Sequence, residues 1–147
     1  TRLPNGGMEM RPSRTKYYME IAEIAAERST CLRAKVGAVL VDKETNRLVS
    51  MGYNGSAPKA PHCADVGCLL INDHCVRTIH AEMNAILHLE HQYTALVLYC
   101  THQPCYQCLK ALISVGVKEV YYKHTYKDTG RDRILQEVGN IKFYLVK

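Results

Sequence analysis

The sequence predicts an α/β protein: one mixed sheet of five strands, covered on both faces by helices. Three observations predict it. Short apolar, β-branched runs alternate with stretches of helical periodicity from one end of the chain to the other. The first two such runs are joined by only Lys43-Glu44-Thr45-Asn46, a hairpin signal that makes the sheet mixed rather than purely parallel. No Pro/Ser-rich linker and no internal repeat interrupts the pattern, so residues 13–147 read as a single domain.

Residues 1–12 read as a flexible leader that includes candidate cloning residues, since it opens on Thr1 and carries Gly6-Gly7. TKYYMEIAEIAAER (15–28) places Tyr18, Ile21, Ala22 and Ala25 on one helical stripe. VGAVLVD and RLVSMGY are the hairpin strands. Residues 54–77 form a long irregular stretch rich in Cys, His, Pro and Gly; loops of that length carry function or are held by something other than a core. A helix is expected from about Ile79 to Glu90, then a strand at TALVLYC. A second helix is expected from Pro104 to Val115, with Gly116 closing it. VKEVYYK is a strand, 130–138 a short helix and IKFYLVK the last strand.

The composition removes several classes of function. No run approaches the roughly 18 apolar residues that span a membrane, and TRLPNGGMEM has no apolar signal-peptide core, so a cytoplasmic protein is expected. Seven cysteines, an odd number, argue against a disulfide framework and for reduced thiols and metal ligands. The net charge of +5 is spread along the chain and suits a small anionic ligand. With no Trp, one Phe and no basic cluster, a nucleic-acid partner has little support.

The segment TIHAEMNAI (78–86) sets His80 and Glu82 two residues apart at a helix start. Alone, such a pair is usually an exposed helix turn. Gln103-Pro104-Cys105-Tyr106-Gln107-Cys108 supplies partners: two thiols three residues apart, at a helix start whose free N–H groups favour the thiolates. A lone Cys-x-x-Cys is also compatible with a redox or structural role. Together, His80, Cys105 and Cys108 give three ligands and leave a fourth position open, which is the pattern of catalytic zinc. Zinc lowers the pKa of bound water from about 15.7 to about 7. Glu82 fits poorly as a further ligand and well as a proton shuttle.

His-x-Glu followed by Pro-Cys-x-x-Cys resembles the signature of the zinc nucleobase deaminases. VGAVLV, GYNGSAPKAPHCADVGC, CVRTIHAEMNAI and PCYQC together resemble the deoxycytidylate (dCMP) deaminases, from about Ser29 to Tyr126. GYNGS with HC and GC ahead of HAE is the most discriminating part. The zinc motifs alone are shared by cytidine, guanine, tRNA-adenosine and riboflavin-pathway deaminases.

The resemblance implies a three-layer α/β/α cytidine-deaminase-like sandwich. It implies hydrolysis of dCMP to dUMP and ammonia, with Glu82 relaying protons. It further implies that Asn54 contacts the deoxyribose, that the Ala81 N–H holds the ring carbonyl, and that Tyr126 covers the base. Family regulation implies dCTP with Mg2+ as activator and dTTP as inhibitor, bound near Gly52, Asn54 and Gly55, in a homo-oligomer commonly a hexamer. Small residues with open backbone N–H groups suit phosphate approach. Alternatives are a related cytidine or tRNA-adenosine deaminase and a non-catalytic, zinc-stabilised assembly module.

Some relatives hold a second, structural zinc with ligands equivalent to Cys31 and Cys63. Here Cys31, Cys63, Cys68 and Cys75, with His62 and His74 as alternatives, are the candidates; such a site would order the 54–77 stretch. The other reading is reduced thiols in a loop pinned by an oligomer. Cys100, on an apolar strand, reads as a core thiol. The sequence departs from the family at Leu87–Tyr93, which is shorter and carries His91 where relatives have a basic residue. Phosphate recognition then falls to Arg33, Lys35, Lys59 or Arg77, or to a neighbouring subunit.

Overall fold

The computed structural model describes residues 10–147. Most of the expected leader, residues 1–9, lies outside the described residues. Helix α1 (Arg14–Ala26) starts at Ser13, whose hydroxyl accepts the Lys16 N–H at 3.2 Å. Its buried stripe is Tyr18, Met19, Ala22, Ala25 and Ala26, with Ile21 packed partly against the same cluster. Strands β1 (Gly37–Asp42) and β2 (Leu48–Tyr53) form the expected antiparallel hairpin, with Ala38 opposite Gly52.

The long 54–77 stretch is less irregular than expected. It holds β3 (Gly55–Ser56), α2 (Cys63–Val66), β4 (Leu70–Ile71) and β5 (His74–Cys75), and leads into β6 (Thr78–Ile79). β3 pairs with β6 and β4 with β5, both antiparallel. The remaining elements are α3 (Ala81–Leu87), β7 (Leu96–His102), α4 (Tyr106–Ser114), β8 (Val117–His124), α5 (Thr129–Val138) and β9 (Lys142–Leu145).

The main sheet runs β2-β1-β7-β8-β9. β1 is antiparallel to both neighbours, whereas β7, β8 and β9 are parallel, so the sheet is mixed as expected. Alternation along the strands divides the core in two. Ala38, Leu40, Leu96, Leu98, Cys100 and Val120 face Ala81 and Ala85 of α3 and Leu109 and Leu112 of α4, with Ile134 and Leu135 of α5 packed beside them. Val39, Val41, Val97 and Tyr99 face Tyr18, Met19 and Ala22 of α1. That is the three-layer α/β/α arrangement. All six residues of β1 are buried because it has a neighbour on each edge and helices above and below.

Two helices differ from expectation at their ends. α3 is shorter than 79–90, because Ile79 is drawn into β6 opposite Gly55 and His80 is extended at φ −63°, ψ 150°. Its far end stops at His88, whose Nδ1 lies 2.7 Å from the Asn84 carbonyl oxygen. α4 begins at Tyr106 because Cys105 is its extended N-cap, and it closes on Val115 with Gly116 at φ +98°.

Two glycines allow helices to sit directly on the sheet. A Cβ at Gly37 would lie 1.8 Å from the Ala22 carbonyl oxygen of α1. A Cβ at Gly52 would lie 2.6 Å from the Ala81 carbonyl oxygen and 2.7 Å from the Ala85 nitrogen. The second contact fixes the depth of α3, the helix that follows His80. Among the described residues, no helix is long and apolar enough to cross a membrane.

Candidate metal centre and active site

Two helix starts meet at the end of the sheet. β6 delivers His80 to the start of α3, and β7 delivers Cys105 and Cys108 to the start of α4. His80 Nδ1 lies 3.6 Å from Cys105 Sγ and 3.4 Å from Cys108 Sγ. The three donor atoms all lie within 4.8 Å of one another. A tetrahedral zinc with Zn–S of about 2.3 Å and Zn–N of about 2.0 Å would set its nitrogen and sulfur donors about 3.5 Å apart. The donor types and their spacing therefore both fit zinc. His80 is exposed, Cys105 half-buried and Cys108 buried, so the cluster opens to solvent on the histidine side.

The electrostatics set the two thiols apart. The hydrogen bond between the two thiols holds Cys105 well below the usual thiol range and pushes Cys108 up, so the first thiolate forms readily at Cys105. Contact with Cys105 raises the His80 imidazole, against burial, which lowers it. Glu82, in the first turn of α3, is 4% exposed. Burial pushes its carboxyl up, against its own backbone N–H and the His80 charge, which pull it down.

The other expected site residues fall in different settings. Ala81, the first residue of α3, is buried and its N–H is one of the helix's first, without an intrahelical acceptor. Asn54 is buried, and its amide is engaged by the chain before β1: Oδ1 accepts the Val36 N–H at 2.9 Å and Nδ2 donates to the Ala34 carbonyl at 2.8 Å. Gly52 lies under α3, and Gly55 lies in β3 against Thr30. The Tyr126 ring is exposed, while its N–H donates to Gln103 Oε1 at 3.3 Å and its carbonyl accepts from Arg131.

Three of the four candidate structural-zinc cysteines come together. Cys63, Cys68 and Cys75 have sulfurs within 4.8 Å of one another, with Cys63 and Cys75 3.6 Å apart. Cys31 stands outside this trio, and its sulfur accepts the Arg33 N–H at 3.4 Å. Burial opposes ionisation of Cys75, but the Arg77 and Leu69 backbone groups together with the Cys63 and Cys68 thiols outweigh it and lower that thiol to about 7. Cys100 is a fully buried core thiol, as expected.

Sequence reasoning passed over three residues that hold these parts in place. Asn84 Nδ2 donates to the Tyr53 carbonyl at 2.8 Å and so ties α3 to the end of β2. Asp128 accepts the Tyr106 N–H at 2.8 Å, and Arg131 donates to the Pro104 carbonyl at 3.2 Å. The only local signal was Asp128 ahead of a helical stretch, an N-cap pattern that says nothing about α4.

The family model described as the cytidine and deoxycytidylate deaminase zinc-binding region matches residues 12–124. The chain belongs to this family. Among curated relatives, this deaminase-family chain is 48% identical over 120 residues to ComE operon protein 2 of Bacillus subtilis, covering 80% of this chain and 62% of that protein. It is 37% identical to the deoxycytidylate deaminase of Schizosaccharomyces pombe, covering 88% of this chain and 43% of the relative. The chain thus spans less than two thirds of each of these two proteins. It is 35% identical to the deoxycytidylate deaminase of Mycobacterium phage D29, covering 76% of this chain and 95% of that enzyme. The fold is similar to the crystal structure of the cyanophage S-TIM5 dCMP deaminase in complex with dCMP and dUMP. The TM-score is 0.77 at 30% identity, covering 94% of this deaminase-family chain and all (100%) of the phage chain.

Proposed function

We propose that this chain hydrolyses dCMP to dUMP and ammonia, as one domain over residues 13–147. The observation that carries the reading is the buried Glu82 carboxyl two residues from a His80–Cys105–Cys108 cluster that opens to solvent. In this reading those three residues hold zinc. A zinc bound there would supply the acidity that turns water into a nucleophile near neutral pH.

The rest of the chemistry belongs to the chain. Glu82 takes a proton from the attacking water and delivers it to the ring, so that a C4–O bond can form. It then takes the second proton from the new C4 hydroxyl and passes it to the exocyclic amine; the C4–N bond breaks as the C4 carbonyl forms, and ammonia leaves. Burial raises its pKa, in the direction that suits a group which must both accept and return a proton. The free N–H of Ala81 holds the ring carbonyl. Asn54, fixed by Ala34 and Val36, presents its remaining lone pair to the deoxyribose, and Tyr126 covers the base. The fission-yeast and phage D29 relatives, both deoxycytidylate deaminases, and the dCMP–dUMP complex of the phage S-TIM5 enzyme support dCMP as the substrate.

The same reading extends to a second, structural zinc on Cys63, Cys68 and Cys75, supported by the grouping of their sulfurs. It includes activation by dCTP with Mg2+, inhibition by dTTP, and a homo-oligomer, taken as a hexamer. Gly52 is occupied by the packing of α3 and the Asn54 N–H by the Val36 carbonyl, so effector contacts in this reading fall to Gly55. A zinc-held assembly module without chemistry would have no use for a buried carboxyl at Glu82.

The test is ammonia release by the zinc-loaded protein from dCMP, deoxycytidine, CMP and dCTP in parallel, with and without dCTP–Mg2+ or dTTP as effector. Turnover confined to dCMP is expected, with dCTP sharpening its saturation curve and dTTP suppressing it. Preferential turnover of deoxycytidine or CMP would overturn the substrate assignment. A flat response to both effectors would overturn the regulation alone.

A further inference from the structure

We propose that Asp128 and Arg131, at the start of α5, are positioning residues that set Cys105 as a metal ligand and hold the Tyr126 segment beside it. The inference rests on the reading of His80, Cys105 and Cys108 as ligands.

The two peptide groups that flank Cys105 are both held from α5. Arg131 Nη1 donates to the carbonyl of Pro104, on one side, at 3.2 Å. Asp128 Oδ2 accepts the N–H of Tyr106, on the other, at 2.8 Å. The orientation of the first peptide plane fixes φ of Cys105 and that of the second fixes ψ, here −76° and 172°. Together they aim the Cα–Cβ bond, and with it the sulfur. The other carboxylate oxygen of Asp128 accepts the Arg131 N–H at 3.0 Å, so one side chain caps α5 and braces α4.

Arg131 is placed for this task rather than for surface charge. It is 4% exposed, and its carboxylate partner among the described residues, Asp132, lies on the solvent side at 3.1 Å. A guanidinium is costly to bury unless its donors are met. Here Nε and Nη2 reach Asp132, while Nη1 reaches the Pro104 and Tyr126 carbonyls. Tyr126 is thereby gripped at both backbone groups, since its N–H is held by Gln103, two residues before Cys105. Gly130 lets the two helix starts close up: a Cβ there would meet Tyr106 Cβ at 3.3 Å. One buried cation therefore couples the ligand loop to the segment assigned to cover the base.

Groups that orient a metal ligand typically change metal affinity about 10- to 100-fold when removed. The experiment compares zinc-loaded wild type with Asp128→Ala, Asp128→Asn, Arg131→Met and Arg131→Lys, and with Arg133→Gly. The last loosens α5 without touching Pro104, Tyr106 or Tyr126, because Arg133 is exposed and, among the described residues, paired to Glu137. Three quantities are read below the melting temperature: the rate of zinc transfer to a chromophoric chelator, and kcat and KM for dCMP.

D128A and R131M are expected to release the active-site zinc about 10- to 100-fold faster, with KM raised more than kcat is lowered. D128N, which keeps one acceptor, falls between them and wild type. R133G loses thermal stability but releases zinc at the wild-type rate. Should R131M fail to fold, R131K keeps the charge, loses the fork and gives the same reading. Wild-type release rates in D128A and R131K, or equal acceleration in R133G, would overturn the positioning role. A wild-type protein that takes up no zinc at His80 would overturn the metal reading, and this inference with it.

Discussion

His80 Nδ1 and Cys108 Sγ lie 3.4 Å apart although 28 residues separate them in the chain. The contact exists because β1, β2 and β7 are adjacent in the sheet, and because α3 and α4 begin at the same end of it. The start of α4 offers a positive dipole end, which favours anionic sulfur at Cys105. The cluster is thus a product of topology, and its precision depends on how α3 and α4 are seated.

Gly52 seats α3. Replacing it with Ala forces a methyl against the Ala81 carbonyl and the Ala85 nitrogen, at 2.6 and 2.7 Å, and backbone on both sides has no room to retreat. We expect G52A to lose about 1–3 kcal/mol of stability. We also expect it to lose more activity than stability alone explains, because His80 and Glu82 move with the helix. Denaturant unfolding together with ammonia release checks both; a variant with native stability would contradict the packing argument.

The α1-facing side of the sheet carries a row of phenols. Tyr99 lies between Tyr18, at 5.2 Å between ring centres, and Tyr121, stacked at 5.0 Å. Burial pushes the Tyr99 phenol up to about 12, with the neighbouring Tyr121 and Glu119 adding to the shift. The folded state therefore holds this proton more tightly than the unfolded chain, where a tyrosine titrates near about 10. The resulting stabilisation is complete below about pH 10 and disappears as pH rises towards 12. Wild type should lose stability relative to Tyr99→Phe across that window. Parallel loss in both proteins would show that Tyr99 is not responsible.

Cys63, Cys68 and Cys75 tie α2 to the β4–β5 pair. If they hold a structural zinc, elemental analysis should find two zinc ions per chain, and one in Cys63→Ser. That variant should also be cut faster by protease between residues 57 and 77, because metal binding contributes directly to the order of such a segment. A single zinc in wild type, retained in the variant, would rule the second site out.

Much of this was legible in the sequence because the decisive signals are local. The strand and helix order follows from periodicity, and the hairpin from four polar residues between two β-branched runs. The grouping of His80, Cys105 and Cys108 follows from residue types at the short spacings that a candidate metal site needs. What was not legible depends on contacts between distant segments. Ile79 is part of a strand only because Gly55 lies opposite it. Cys31 is separated from the cysteine trio by the path of the loop, which no spacing rule predicts. The amide of Asn54 is committed to Ala34 and Val36. Arg131 reads as one more surface cation in a helix of polar residues, yet it is buried against Pro104.

On the proposed reading, Glu82 moves protons at a zinc centre that deaminates dCMP. The most direct test sets wild type beside Glu82→Gln, both shown by elemental analysis to carry the same zinc, and follows dUMP and ammonia formed from dCMP. Equal amounts of the two products from wild type, with turnover in E82Q lower by at least about 100-fold, is the predicted result. Undiminished turnover in E82Q, or no product from zinc-loaded wild type, would contradict the account.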